Sequence, residues 1–185
     1  MAGDYAYLGA GYYASLDAEL GGERVWPTTE EALDAYVVPI LADKARAAGL
    51  EVPSATLVTE RFPAPPFLAW PVNPFSSKGE LILDEAGLAA RRGGLTYAGK
   101  YAVYCQRLPD TYRLDTVRVV LGRCDVPELE SFVRDAFAAL HLPLARLRVI
   151  VSPADYLLAA AEPLPYHELN EGERSWIGEV GRWRD

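Results

Sequence analysis

Residues 116–144 read TVRVVLGRCDVPELESFVRDAFAALHLPL, and this stretch predicts a strand, a tight connection, a helix and a second strand. Val117, Val119, Val120 and Leu121 form a short, mostly β-branched run of strand length. Apolar residues then recur with helical spacing at Leu129, Phe132, Val133, Ala136, Phe137 and Leu140. The apolar stripe of this helix is wide enough to lie on a sheet. The unit therefore indicates architecture and says little about chemistry.

Outward from this unit, the chain predicts further helices and short strands in irregular order. Thr28 and Glu31 have the spacing of a capping box, which predicts a helix that continues to Gly49. Pro39 falls inside that helix, where its missing amide hydrogen predicts a kink or a split into two helices, and the unbroken apolar repeat favours the kink. Residues 5–8 predict a short strand, and residues 91–94, Arg-Arg-Gly-Gly, predict an exposed turn.

These elements predict the fold class α/β (mixed α+β). We expect a mixed sheet with helices packed on it in two or three layers. The length of 185 residues and the 50% hydrophobic content fit a single domain over residues 1–185.

Composition argues against several classes of function. The net charge is −8 and the sequence contains no cluster of basic residues. We therefore expect neither nucleic-acid binding nor docking on an anionic membrane. No apolar run reaches the roughly 18–20 residues that a bilayer requires, and the N-terminal residues do not have the pattern of a signal peptide. The sequence therefore predicts a cytoplasmic protein.

The chain also offers few residues for metal binding or nucleophilic catalysis. Its two cysteines, Cys105 and Cys124, are not in a Cys-x-x-Cys pair, and its two histidines, His141 and His167, have no metal-ligand spacing. We therefore expect no metal site and name no catalytic residue.

One loop carries residue types that hold anions. The segment from Asn73 to Gly79 joins two strand candidates and contains Ser76, Ser77 and Lys78. Hydroxyls, a lysine and backbone amides in one loop bind a phosphate in some proteins, but an ordinary polar hairpin loop has the same composition. Candidate ligand-binding residues are this loop with three residues outside it: Lys100, Gln106 and Arg123.

Two stretches resemble the domain found at the N-terminus of a subset of RimK-like ATP-grasp ligases. The first is GYYASLDAELGGERVWP at residues 11–27, whose matching positions include Gly11, Tyr12, Tyr13, Ser15, Glu19 and Arg24. The second is the strand–helix unit, where Leu121-Gly122-Arg123 stands for the family's Phe-Gly-Arg and Phe137 falls on its helix phenylalanine. The family's Arg-Gly-His is Gly21-Gly22-Glu23 in this chain.

The middle of the chain, residues 50–112, diverges from that domain and faintly resembles the first strands of an ATP-grasp nucleotide subdomain. The resemblance implies a lysine before the proline of FLAWPV to grip nucleotide phosphates, and this chain has Trp70 there. The Asp/Glu/Asn set with which the family binds magnesium has no counterpart. Phosphoryl transfer requires both the cationic clamp and the metal, so we do not expect an autonomous ligase.

The resemblance implies a non-catalytic accessory or partner-binding domain that serves a separately encoded ATP-grasp amino-acid or peptide ligase. No cofactor is expected for that role. One alternative is a small nucleotide- or phosphate-binding enzyme that uses ATP and magnesium with the candidate ligand-binding residues. Another is a self-associating structural subunit, because edge strands rich in Tyr and Val favour pairing between copies.

Overall fold

The computed structural model describes residues 4–76 and 78–179. Its helices are α1 (Ala10–Leu20), α2 (Thr29–Tyr36), α3 (Val38–Ala47), α4 (Glu85–Leu95), α5 (Glu130–Leu140) and α6 (Glu171–Glu179). Its strands are β1 (Ala55–Val58), β2 (Phe67–Pro71), β3 (Glu80–Ile82), β4 (Val103–Arg107), β5 (Arg113–Val120), β6 (Leu144–Val151) and β7 (Tyr156–Pro163). Within the described ranges, no helix combines the length and apolarity needed to cross a membrane.

The strands form two separate sheets, with the orders β1-β4-β2-β3 and β5-β6-β7. Every neighbouring pair of strands in both sheets is antiparallel. Short connections such as those between β2 and β3 and between β6 and β7 permit only this arrangement, because a parallel pair needs a long crossover. The mixed α/β class is confirmed, and its strands divide into two antiparallel sheets instead of one mixed sheet.

The strand–helix–strand unit predicted from residues 116–144 is confirmed as β5, α5 and β6. Val133 and Ala136 of α5 are buried against Val117 and Leu147 of the three-stranded sheet, in a cluster that also contains apolar residues of α2 and α3. Burial of each large apolar side chain there contributes about 1.5–3 kcal/mol. Three helices thus cover one face of this sheet and leave its other face toward the four-stranded sheet and α6.

The helix break near Pro39 differs from the predicted kink. The chain forms two helices separated at Val37, whose φ of −88° and ψ of 89° are not helical. Pro39 then lies in the first turn of α3, where a missing amide hydrogen costs nothing because that amide has no helical acceptor. The predicted capping box is confirmed, since the Thr28 side chain accepts a hydrogen bond from the Glu31 amide and the Glu31 carboxylate accepts one from the Thr28 amide.

Two further local predictions are wrong. Residues 91–94 lie inside α4, because Asp84 caps the helix and its apolar residues Leu88 and Leu95 hold it against the four-stranded sheet. Residues 5–8 form no strand. The Tyr5 side chain instead enters the core, where its hydroxyl donates a 2.7 Å hydrogen bond to the Leu144 carbonyl.

Candidate functional site

The two sheets meet in a packed apolar region. Leu68, Trp70 and Tyr104 extend from the four-stranded sheet toward Ile150 and Ala159 of the three-stranded sheet. Residues of α3 complete the same cluster. The contact joins the two sheets into one core.

A buried hydrogen-bond chain crosses this contact. Trp70 is 3% exposed, and its Nε1 donates to Gln106 Oε1 over 2.7 Å. Gln106 is fully buried, and its Nε2 donates to the Ala159 carbonyl over 2.8 Å. Gly79 packs so closely that a Cβ at this position would lie 2.4 Å from the Trp70 ring. The indole and the amide thus fill the space between the sheets, with their hydrogen-bonding groups satisfied.

A small cavity of about 120 Å³ remains beside the indole. Its lining is mainly apolar, with Leu68, Leu81 and Leu114 among its walls and Arg148 on one side. Pockets for drug-sized ligands and cofactors occupy about 300–1,000 Å³. The cavity is therefore too small for a nucleotide.

The face of the three-stranded sheet toward this space carries arginines. Arg118 of β5 and Arg146 of β6 are paired in register, and Arg148 follows two residues later. Arg118 makes a bidentate ion pair with Glu173 of α6, at 2.6 Å and 2.7 Å. Arg146 pairs with Glu168, whereas Arg148 is 3.6 Å from Glu162. The cationic charge of this face is thus engaged by carboxylates of the same chain.

Glu173 is the most buried carboxylate in this set, with a side chain 2% exposed. The hydrogen bonds from Arg118 hold the pKa of Glu173 below its usual range, against the opposing effect of burial. Glu173 also accepts from the Asn170 amide over 2.8 Å, and Asn170 Oδ1 accepts from the Glu173 amide. These hydrogen bonds cap the N-terminus of α6, and the Arg118–Glu173 pair attaches that helix to the sheet.

The candidate ligand-binding residues occupy three different places. Ser76 and Lys78 lie in the β2–β3 loop, and Ser77 lies outside the described residues. Lys100 is next to that loop, because Phe75 stacks on Tyr97 with ring centroids 5.5 Å apart. Two of the candidates are elsewhere, as Gln106 is in the core and Arg123 pairs with Glu179 over 2.6 Å.

The residues that carry the resemblance have structural contacts. A Cβ on Gly11 would lie 1.6 Å from the Asp4 carbonyl oxygen, so only glycine fits there. Glu19 accepts a hydrogen bond from the Thr29 amide over 2.9 Å at the start of α2. Ser15 is buried. The remaining motif residues are a pair of tyrosines in edge contact, Tyr12 and Tyr13, and the exposed Arg24.

Sequence reasoning missed the connection between the two sheets. It read Gln106 as a residue that positions a ligand, and Trp70 only as a substitution. Nothing in the spacing of these two residues predicts that they lie on adjacent strands of one sheet. Their pairing follows from the antiparallel register of β2 and β4, which places Leu68 opposite Gln106 and Trp70 opposite Tyr104.

Several solved structures are similar to this chain. A D-alanine–D-alanine ligase from Bacillus anthracis, solved with ATP, matches with a TM-score of 0.64 and 14% identity, over 90% of this chain and 69% of the ligase. A RimK domain ATP-grasp protein from Sphaerobacter thermophilus matches with a TM-score of 0.67 and 13% identity, over 91% of this chain and 74% of that one. An L-amino acid ligase from Bacillus licheniformis matches with a TM-score of 0.59 and 11% identity, over 82% and 45%.

The chain has an ATP-grasp-like fold. At these identities the likeness shows the fold alone. No protein-family model matches the sequence, and no curated protein is similar to it at a significant level. The match to the Bacillus anthracis ligase leaves about a tenth of the chain unaligned, so much of the 63-residue segment 50–112 lies within the matched fold.

Proposed function

We propose that this chain is a non-catalytic, ATP-grasp-like accessory domain that binds a separately encoded ATP-grasp amino-acid or peptide ligase. The observation that carries the proposal is the buried Trp70–Gln106 pair between the two sheets. The resemblance places a nucleotide-gripping lysine at the position of Trp70. In this chain that position is part of the packed core.

The residues present do not fit ATP and magnesium in this region. The indole occupies the space, and the adjoining cavity of about 120 Å³ is too small. The nearby arginines are engaged by Glu173, Glu168 and Glu162. Within residues 4–76 and 78–179, no three His, Cys, Asp or Glu side chains are close enough together to hold a metal ion. The residues of this region therefore support no phosphoryl-transfer step.

The partner is proposed from the two stretches of sequence resemblance and from the fold. This chain covers between 45% and 74% of the length of the solved proteins reported above. A chain with the fold and without a fitting nucleotide site suits a role in which a second chain supplies the activation chemistry. A protein surface is then the functional part of the molecule.

The alternatives make different predictions for the same purified chain. A nucleotide-binding enzyme would be stabilised by ATP and magnesium, because a ligand at 100 times its Kd adds about 2.7 kcal/mol to the free energy of unfolding. In a protein of this size that raises the Tm by roughly 5–10 °C. A self-associating subunit would sediment as a dimer or larger species at micromolar concentration.

The test combines three measurements on the full chain. We expect no heat and no Tm shift with millimolar ATP and magnesium, a monomer in sedimentation, and a stable complex with an ATP-grasp ligase from the same host. An ATP-grasp ligase from an unrelated host is the matched control and should not bind. Nucleotide-dependent stabilisation, turnover by the chain alone, or failure of every host ATP-grasp ligase to bind would overturn the proposal.

A further inference from the structure

Two loops at one end of the four-stranded sheet place three aromatic rings together on the surface. Pro71 at the end of β2 is opposite Val103 at the start of β4, so the β2–β3 loop and the α4–β4 loop share this end. Phe75 is 67% exposed and stacks on Tyr97, which is 47% exposed. Tyr101 completes the group, with its ring centroid 6.3 Å from that of Phe75. These rings pack mainly on one another and remain open to solvent.

In both loops a buried polar side chain hydrogen-bonds to the backbone near the rings. The buried Asn73 side chain accepts hydrogen bonds from the amides of Phe75 and Ser76, at 2.8 Å and 2.9 Å. The buried Thr96 hydroxyl accepts from the Gly99 amide over 3.0 Å in the other loop. Tyr97 has a φ of 50°, a left-handed conformation that costs a residue other than glycine about 1–2 kcal/mol. These hydrogen bonds hold the backbone at Phe75 and Tyr97 in defined turns, which reduces the entropy lost on binding.

The charge beside these rings is opposite to that of the whole chain. The chain has only three lysines, and two of them lie in these loops: Lys78 is three residues after Phe75, and Lys100 is next to Tyr101. Among the described residues, no carboxylate lies within ion-pair distance of either lysine, whereas Lys44 pairs with Asp34. Lys100 Nζ is 5.6 Å from the centre of the Tyr97 ring. An aromatic surface with two unpaired cations, on a chain of net charge −8, is complementary to carboxylates.

A cavity of about 230 Å³ adjoins the same loop. Pro74, next to Phe75 in the chain, is part of its wall, and the rest includes Tyr7, Tyr36 and Val72. The cavity is smaller than the roughly 300 Å³ at which pockets for drug-sized ligands begin. Its size and apolar walls suit one large apolar side chain of a protein, the kind of anchor that dominates many interfaces.

We propose that the aromatic–lysine patch (Phe75, Lys78, Tyr97, Lys100 and Tyr101) and the adjoining cavity bind an acidic segment of a partner protein. In that segment carboxylates flank one large apolar side chain. The apolar side chain enters the cavity, and the carboxylates pair with the two lysines. The inference rests on the proposed partner-binding function, for which it names the surface and the chemistry of the partner.

Nuclear magnetic resonance of the ¹⁵N-labelled full chain tests the surface directly. Two synthetic peptides with the same central tryptophan serve as probes, one flanked by Asp and Glu and the other by Lys and Arg. We expect only the acidic peptide to bind and to shift amide signals. The shifts should be confined to the cavity wall and the two loops, at residues 7, 33–38, 71–79 and 96–102. An equal response to the basic peptide, shifts elsewhere in the chain, or no response would overturn the proposal.

Variants separate this surface from the remainder of the protein. Phe75→Ala and the double variant Lys78→Glu/Lys100→Glu should each weaken binding of the acidic peptide about tenfold or more. Two matched controls are Tyr166→Ala, an exposed tyrosine outside the patch, and Arg134→Glu, an exposed cation on α5. Both controls should bind within about twofold of the unmodified chain. Unchanged binding by Phe75→Ala would overturn the proposal.

The same variants distinguish failure of the patch from failure of the proposed function. A host ATP-grasp ligase that binds Phe75→Ala as tightly as the unmodified chain would overturn the patch and leave the accessory role standing. Patch-dependent binding of the acidic peptide with no ligase bound would overturn the ligase as partner and support the surface. Shifts at the patch with a single-stranded oligonucleotide or anionic vesicles, and none with the acidic peptide, would overturn a protein partner.

Discussion

Replacement of Gln106 by methionine tests how the two sheets are held together. Gln106 is fully buried, accepts from Trp70 Nε1 over 2.7 Å and donates to the Ala159 carbonyl over 2.8 Å. Methionine has a similar length and shape but neither donates nor accepts strongly. The variant Gln106→Met therefore leaves the indole N–H and the Ala159 carbonyl buried without partners, while the space remains filled.

The expected loss of stability follows from these two orphaned groups. A buried polar group left without a partner costs about 1–3 kcal/mol. Two such groups, partly offset by the added apolar contact of methionine, lower the free energy of unfolding by about 3 kcal/mol. For a protein of this size that corresponds to a decrease in Tm of roughly 6–12 °C.

Urea denaturation followed by circular dichroism measures the effect without relying on tryptophan emission. The control Arg107→Met introduces the same side chain at the next, exposed residue of β4 and should change stability by less than about 0.5 kcal/mol. In the double variant Trp70→Phe/Gln106→Met, the loss should be about 2 kcal/mol less than the sum of the single losses. A loss below about 1 kcal/mol for Gln106→Met, or additive single losses, would refute the buried hydrogen-bond chain.

Three other predictions concern the ion pair, the glycines and the thiols. Glu173→Gln should lower the free energy of unfolding by about 1–3 kcal/mol at pH 7, since it breaks a pair in which Arg118 is partly solvated. Because the pKa of Glu173 is lowered from 4.5, its contribution is complete above about that pH and is lost as pH falls. In urea denaturation between pH 7 and pH 3, the free energies of unfolding of the unmodified chain and of Glu173→Gln should thus approach each other as the pH falls. A difference that does not change with pH would contradict this assignment. The control is Glu171→Gln, at an exposed residue of the same helix. Gly11→Ala should destabilise by about 1–3 kcal/mol, because its Cβ would collide with the Asp4 carbonyl. Gly93→Ala, in α4 with open space around it, should stabilise by about 0.5–1 kcal/mol, and equal effects in thermal melts would count against the close approach at Gly11. Burial raises the pKa of the Cys105 thiol to about 12, so a thiol reagent at pH 8 should modify Cys124 first and Cys105 only after unfolding. Modification of both thiols at the same rate in the folded protein would contradict this prediction.

Local patterns predicted those parts of the fold that local forces determine. The apolar repeat of α5 and the capping box at Thr28 depend on residues within three or four positions of one another. Pro39 shows the limit of such patterns, because a continuous apolar stripe does not require a continuous helix. The division of the strands into two sheets depends on which distant strands pair, and no short pattern encodes that choice.

The candidate site shows the same limit. Ser76, Lys78 and Lys100 lie in two loops that share one end of the sheet because β2 and β4 are neighbours. Gln106 has the side chain of a ligand-binding residue, but burial opposite Ala159 makes it part of the core. Phe75 is not among the candidate residues from the sequence, because its loop has a mainly polar composition. Its exposure depends on the turn that buried Asn73 imposes.

The packed contact between the sheets has a consequence for where function can reside. A ligand that binds between two sheets must be able to enter, and here entry would require the loss of the Trp70–Gln106 hydrogen bond and of apolar contacts on both sides. Those losses would come to several kcal/mol before any contact with the ligand was gained. The aromatic–lysine patch demands no such opening, because Phe75 and Tyr97 are already exposed. The energy of this fold therefore favours recognition at its surface over chemistry at its centre.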